Sequence, residues 1–319
     1  MKVFATRVLP TDGRILLERA GINVTEWKEK RNLSPDELAA LLQDYDVLYY
    51  AGGKAMSRPF LEKCTHLKLI ALMSAGYDNI DVAAARELGI PVTNVPGIPS
   101  KSTADIAFLL MQAVARKAFF MHQRILQREW GFSDPTANLG IDLEGKTLGI
   151  WGLGQIGSVL AKRARAFDMP LIYNNRRRNL VAEKELGARY VSFDELLAQS
   201  DVLSVHTALT AETRGTFTKE TFRKMKPSAI FINTARGAIH NETDLYEAIQ
   251  EGLIWGAGLD VTNPEPMSAD SPLLSLPTVA ILPHIGSATI GTRNAMSRLA
   301  AENVIAAMKG LPLPNLIKN

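Results

Sequence analysis

Three stretches in the last third of the chain each set a reactive side chain just beyond a run of strand-forming residues. These are Arg236 in AIFINTARG, Asp260 and Glu265 in GLDVTNPEP, and His284 in VAILPHIGSAT. In an open α/β sheet, ligands and chemistry gather at the carboxyl ends of the strands, so groups far apart in sequence can converge there. An imidazole with a carboxylate beside it is stabilised in its charged form, which provides a proton donor near neutral pH. Each residue also has a plainer reading: Arg236 as a surface cap or ion pair, Glu265 as part of a rigid turn between Pro264 and Pro266, His284 as a structural histidine. The other histidines, at 66, 122, 206 and 240, read as structural. There is no metal-ligand spacing and no Ser-His-Asp or nucleophile-elbow pattern.

A second constellation is the glycine loop Gly152-Leu153-Gly154-Gln155-Ile156-Gly157. It follows an apolar strand, opens a helix and is followed by another strand, which is the context a dinucleotide-binding loop requires. Gly152 permits the tight turn, Gly154 lets the backbone approach a pyrophosphate, and Gly157 allows close helix–strand packing. The N–H groups of Gln155 and Ile156 are then expected to face the phosphates, aided by the helix dipole. The next strand, PLIYN, runs into Asn174, Asn175, Arg176, Arg177 and Arg178. An acid at that position holds the ribose hydroxyls of NAD, whereas a guanidinium suits a 2′-phosphate. The stretch therefore favours NADP(H), with NAD(H) as the alternative. Asn175, Arg176 and Arg177 are the expected contacts, because they lie nearest the strand end.

The elements that must position these groups alternate. KVFAT, DVLYYAGG, LKLIALMSAG and IPVTNV read as strands of a first set, with helices between them. SPDELAALL carries its own start signal: Ser34 as N-cap, Pro35 at the first helical position and Glu37 closing a capping box. Ser102–Arg128 reads as one long helix. Seven further strands follow: KTLGIWG, PLIYN, ARYVS, DVLSVH, AIFINTA, GAGLDV and TVAILP. A last helix covers about 292–309. This rhythm predicts an α/β protein of two doubly wound parallel-sheet domains. One is a Rossmann-type cofactor domain over 101–290. The other is a flavodoxin-like, discontinuous substrate domain made of 1–100 plus 291–319. GIPSKS and GSATIG are the expected hinges, with cofactor and substrate held between domains that close to exclude water.

GLGQIG, INTARG, GLDVTNPEP and LPHIGSAT, in this order and spacing, resemble the D-isomer-specific 2-hydroxyacid dehydrogenase family. The likeness also takes in MSAGYDNID and STADIAFLL, and within the family it is nearest the glyoxylate/hydroxypyruvate reductases. The resemblance implies that Arg236 pairs with the substrate carboxylate and polarises its carbonyl. It implies that His284 protonates that oxygen as hydride arrives, and that Glu265 bonds the other ring nitrogen of His284. It places Asp260 near the nicotinamide carboxamide, and makes Thr103, Thr207, Thr234, Ala235 and Ser287 further cofactor contacts. Gly53, and the N–H groups of Ala75 and Gly76, would bind the substrate carboxylate. Departures from the pattern are Trp151 in place of a smaller aliphatic residue, Ala208 in place of a proline, His240 in place of an aliphatic residue, and the segment REWGFSDPTANLG. That segment lies where a loop often reaches across a dimer.

The implied reaction is NADPH-dependent reduction of a small 2-oxo acid, glyoxylate or hydroxypyruvate. The alternatives are a reductase for a larger 2-keto acid such as 2-ketogluconate, or a non-catalytic NAD(P)-sensing regulator on the same fold. A net charge of +3 in 319 residues argues for no nucleic-acid or membrane partner. The lone Cys64 allows no internal disulfide, which fits a reducing compartment. No apolar run approaches the length of a transmembrane helix, and no signal peptide is read at the N-terminus. The expected setting is cytoplasmic and the expected assembly a homodimer.

Overall fold

The computed structural model describes residues 1–132 and 134–318. Among them, two parallel sheets form. The first contains β1 (Val3–Ala5), β2 (Val24–Glu26), β3 (Val47–Tyr50), β4 (Leu69–Leu72) and β5 (Val92–Thr93), in the order β2-β1-β3-β4-β5. The second contains β6 (Leu148–Trp151), β7 (Leu171–Asn174), β8 (Arg189–Tyr190), β9 (Val202–Val205), β10 (Ile230–Asn233), β11 (Gly256–Leu259) and β12 (Val279–Ile281). Their order is β12-β11-β10-β9-β6-β7-β8. The first order is that of flavodoxin-like sheets and the second that of Rossmann sheets. The chain divides into two compact units, Met1–Pro99 with Ala288–Asn319, and Ser100–Ser287.

Strands covered by helices on both faces read as unbroken apolar runs rather than alternating ones. The central strands VLYY, LIAL, VLSV and IFIN are buried at every position for that reason. Edge strands lack the signal. β2, three half-exposed residues at the margin of the first sheet, has no apolar run and was not expected from sequence.

In the first unit the helices Thr11–Arg19 and Ile290–Met308 pack tightly. A Cβ on Gly13 would fall 2.0 Å from the Ser297 hydroxyl, so only glycine fits there. The buried Tyr49 hydroxyl donates to the Ser297 carbonyl at 2.8 Å and ties the last helix to β3. The helix Pro35–Leu42 starts as its sequence foretold, with both bonds of the Ser34–Glu37 capping box present. Cys64 is buried, and desolvation pushes its thiol up to about 11, so it is a packing residue and not a nucleophile.

In the second unit the expected single helix over 102–128 is two, Ser100–Ala115 and Ala118–Leu126. The break falls at Lys117, which adopts a left-handed conformation with φ 53°. Two contacts end the first helix. The Ala115 carbonyl accepts from the Ile141 N–H at 2.9 Å. Gly140 lies so close to that carbonyl that a Cβ would approach it to 2.3 Å. Apolar periodicity runs on through the break because both segments carry apolar residues. The stop is set by a loop more than twenty residues away.

Candidate active site

The glycine loop sits at the end of β6, where β6 has β9 on one side and β7 on the other. This is where the strand order reverses, the usual ligand crevice of the fold. Gly152 has φ +100°, and a Cβ on it would come within 2.7 Å of the His206–Thr207 backbone at the end of β9. Gly157 is confined in the same way by the Gly152 carbonyl, at 2.8 Å from its would-be Cβ. Gly154 differs: a Cβ there would meet nothing within 4 Å. The helix Gln155–Ala164 begins at that residue with no side-chain cap and no acid in its first turn. Its first N–H groups are therefore presented to an anion, as a dinucleotide pyrophosphate requires. Gln155 is held from the side, its Oε1 accepting from the Ser100 hydroxyl at 3.3 Å.

Beyond β7, Asn175 turns back onto the loop. Its Oδ1 accepts from the Leu153 N–H at 2.6 Å, while Asn179 donates to the Leu153 carbonyl at 3.0 Å. The Asn175 side chain thus braces the loop. Arg178 is engaged by Glu183, Nε to Oε1 at 3.0 Å, and its guanidinium lies over the Tyr190 ring. Arg176 and Arg177 are exposed. Neither Arg176 nor Arg177 makes an ion pair among the described residues, and the charge of Arg176 helps hold the Glu212 carboxyl below its ordinary range.

The reactive side chains come together within the second unit. His284 Nδ1 and Glu265 Oε1 are 2.6 Å apart, both side chains partly accessible. Glu265 stands between two cis X-Pro bonds, Asn263-Pro264 and Glu265-Pro266. Burial pushes its carboxyl up, but the His284 hydrogen bond and charge, the Thr262 N–H and the Arg236 charge outweigh that. The result lies below the usual carboxylate range. Arg236 is thus close enough to act electrostatically on Glu265. Its strand end lies against the segment that bears Glu265: a Cβ on Gly237 would be 2.0 Å from the Thr262 carbonyl.

Asp260, 1% exposed at the end of β11, accepts from the Ile285 N–H at 2.8 Å and the Gly286 N–H at 2.7 Å. His284, immediately before, has φ 53°, a left-handed conformation uncommon for a residue with a side chain. Asp260 thus secures the turn that presents the imidazole. Burial raises the Asp260 pKa in spite of the two N–H groups that lower it. Thr103 is buried against Gly286. Ala235 donates its N–H to Asn233, and its carbonyl accepts from Arg236 at 2.7 Å. Ser287 closes the second unit.

Gly53, Ala75 and Gly76 lie in the first unit, in the loops after the neighbouring strands β3 and β4. The Thr6 hydroxyl braces the first loop, donating to the Gly52 carbonyl at 2.9 Å and accepting from the Ala51 N–H at 3.0 Å. In the second loop the Gly76 and Ala75 carbonyls are held by Ser74 and Asn94, both at 2.7 Å.

Sequence reasoning missed the buried polar groups beneath the site. His206 bridges the ends of two strands, Nε2 to the Ser204 hydroxyl at 2.9 Å and Nδ1 to the Thr234 hydroxyl at 3.3 Å. Although part of its surface stays accessible, desolvation pushes it down to about 3, so it is neutral. The Thr234 hydroxyl, expected to touch cofactor, makes this one contact to the imidazole. Trp151 packs against Phe193 and Phe217, with ring centroids 5.1 and 5.6 Å away, which accounts for a bulky residue at the end of β6.

Residues 108–286 match the family model described as the D-isomer specific 2-hydroxyacid dehydrogenase, NAD binding domain. The chain belongs to this family. It is an oxidoreductase whose cofactor is a nicotinamide dinucleotide. It is 42% identical to a glyoxylate reductase of Thermococcus litoralis, over 99% of this chain and 96% of that one. It is 40% identical to a glyoxylate/hydroxypyruvate reductase B of Yersinia pestis, over 89% of this chain and 88% of the other. Among solved structures, an NADPH-dependent glyoxylate/hydroxypyruvate reductase from Sinorhizobium meliloti, in complex with NADP and malonate, aligns with TM-score 0.84 and 28% identity. The alignment covers 99% of this chain and 96% of that one. No helix among the described residues is long and apolar enough to cross a membrane.

Proposed function

We propose that this dehydrogenase uses NADPH to reduce glyoxylate or hydroxypyruvate to the D-2-hydroxy acid. The observation that carries the reading is the 2.6 Å contact of His284 with Glu265, with the strand end that bears Arg236 packed against the segment that bears Glu265. When bound, the reduced dinucleotide would supply the hydride that the carbonyl carbon takes up. Arg236 binds the substrate carboxylate through paired N–H groups and draws charge onto the carbonyl oxygen. Glu265 accepts from Nδ1 of His284, which leaves Nε2 to deliver the proton that oxygen takes up. In the reverse direction the same nitrogen removes it. Gly53, Ala75 and Gly76 are assigned to the substrate carboxylate and the first unit to substrate. The second unit is assigned to NADP(H), through Gly152, Gly154, Gln155, Ile156 and Gly157 at the pyrophosphate, and Thr103, Thr207, Thr234, Ala235, Asp260 and Ser287 around the rest.

The NADPH preference rests on two exposed guanidinium groups, Arg176 and Arg177, beyond a strand end that bears no acid. Similarity to the Sinorhizobium meliloti enzyme, described as NADPH-dependent, points the same way. A homodimer is proposed on the character of 118–132. The helix Ala118–Leu126 buries no residue, and Leu126, Trp130 and Phe132 are 64%, 80% and 94% exposed. An apolar stretch so open to water suits an interface with a second copy.

Two measurements test the reading. The ratio of kcat/KM for NADPH over NADH should exceed one by at least about tenfold, and equal values would refute the cofactor preference. A panel of 2-oxo acids should favour the two- and three-carbon substrates. Faster turnover of keto-sugar acids would overturn the substrate, and binding of NADPH without turnover of any 2-oxo acid would overturn catalysis itself.

A further inference from the structure

We propose that His240 is a positioning residue for Arg236, acting through the side-chain amide of Asn233. The proposal rests on the assignment of Arg236 to the substrate made above. Asn233 ends β10, fully buried, and its amide is held on three sides. Oδ1 accepts from the Ala235 N–H at 2.9 Å. That contact fixes which end of the amide is oxygen, so Nδ2 holds both remaining donors. One donates to the Arg236 carbonyl at 2.9 Å and the other to Nδ1 of His240 at 3.0 Å. Every hydrogen of the amide is then used. The carbonyl that presents Arg236 is gripped by a group whose rotation is stopped on its far side by a histidine.

The acceptor is itself rigid. His240 is 2% exposed, its ring edge-on to Phe231 with centroids 5.8 Å apart. Its backbone is clasped by Phe217, which donates to the Ile239 carbonyl at 3.1 Å and accepts from the Asn241 N–H at 3.0 Å. Since Nδ1 must accept, the ring hydrogen resides on Nε2, which meets no partner among the described residues. A buried donor left without a partner is costly, and it persists here because the opposite tautomer would set an N–H against the Asn233 amide. Burial, the sole cause acting on this imidazole, pushes it down to about 4, so it stays in the accepting form at neutral pH. A hydrocarbon at this position would leave a buried Nδ2–H without an acceptor. The amide would then turn to find one and release the Arg236 carbonyl.

The test compares His240→Leu with His240→Asn in the full-length enzyme, using glyoxylate and NADPH. The leucine variant should lose about tenfold or more in kcat/KM for glyoxylate, with KM for NADPH within about twofold of wild type. The asparagine variant should recover most of that loss, because its Oδ1 can stand where Nδ1 stood. A leucine variant within about twofold of wild type in kcat/KM, or equal losses in the two variants, would overturn the proposal. Should the leucine variant not fold, histidine 15N chemical shifts of the wild type at neutral pH decide the matter. Nε2 should carry the hydrogen and Nδ1 should not, and the reverse tautomer would overturn the proposal. A wild type inactive on every 2-oxo acid would instead refute the assignment of Arg236, whereas an active wild type with an indifferent leucine variant refutes the role of His240 alone.

Discussion

Replacing Asp260 by asparagine should disable the enzyme without touching the proton donor. The two Asp260 oxygens accept from consecutive N–H groups, Ile285 at 2.8 Å and Gly286 at 2.7 Å, directly after His284. A carboxamide keeps one acceptor and turns its NH2 toward the other N–H. One buried hydrogen bond is lost and a donor faces a donor, a cost of about 1–3 kcal/mol. His284 holds φ 53°, and a left-handed conformation costs a residue with a Cβ about 1–2 kcal/mol. The lost restraint is thus as large as the strain it opposes. His284 should leave the left-handed region for much of the time and part from Glu265. At about 1.4 kcal/mol per decade, kcat should fall about tenfold to hundredfold. Steady-state turnover at saturating substrate, with thermal unfolding alongside, checks this: both kcat and Tm should drop. A variant with wild-type kcat and unchanged Tm would refute the claim that the carboxylate sets the His284 turn.

Acid should destabilise the fold through its buried neutral histidines. His240 titrates at about 4 in the folded chain against an ordinary 6.5. The unfolded chain therefore binds the extra proton between those values. Stability is full above pH 6.5 and is lost as pH falls toward 4, at up to about 1.4 kcal/mol per pH unit. His206, pushed down to about 3 by desolvation, adds to the slope. Urea midpoints measured from pH 7 to 4 should show the decline, and a flat profile would contradict it. Gly237→Ala should fail to fold or lose activity, since its Cβ would sit 2.0 Å from the Thr262 carbonyl. Gly154→Ala, whose Cβ meets no protein atom, should fold normally yet bind dinucleotide weakly, as read by NADPH fluorescence titration. Arg177→Ser should lower kcat/KM for NADPH by about tenfold and leave NADH nearly unchanged. Arg178→Ser should leave kcat/KM for both dinucleotides nearly unchanged, because that guanidinium is already held by Glu183.

The layered parallel-sheet architecture was legible because strands buried on both faces are predominantly apolar, and β3, β4, β9 and β10, buried at every position, carry only Ser204 and Asn233 as exceptions beside their apolar and tyrosine residues. The start of the helix Pro35–Leu42 was legible because a capping box is written within four residues. The glycine loop was legible because its geometry is local to one strand–turn–helix unit. The edge strand β2 was not, since half-exposed residues carry no pattern. The break at Lys117 was not, since its cause is the distant Gly140–Ile141 segment. Arg236, Glu265 and His284 could be singled out by type and place at strand ends, but whether they meet depends on three chain segments packing side by side.

By itself, then, the sequence determined which residues had the chemistry and which strands would carry them. That information lies in side-chain pKa, hydrogen-bonding capacity and hydrophobic period, all of them properties of short stretches. Tertiary structure alone decided that Asp260 serves the Ile285 and Gly286 backbone just after His284, that Asn175 braces the glycine loop, and that His240 rather than a hydrocarbon completes the amide of Asn233. A buried polar group must find a partner wherever the fold puts one, and no spacing along the chain states in advance where that will be.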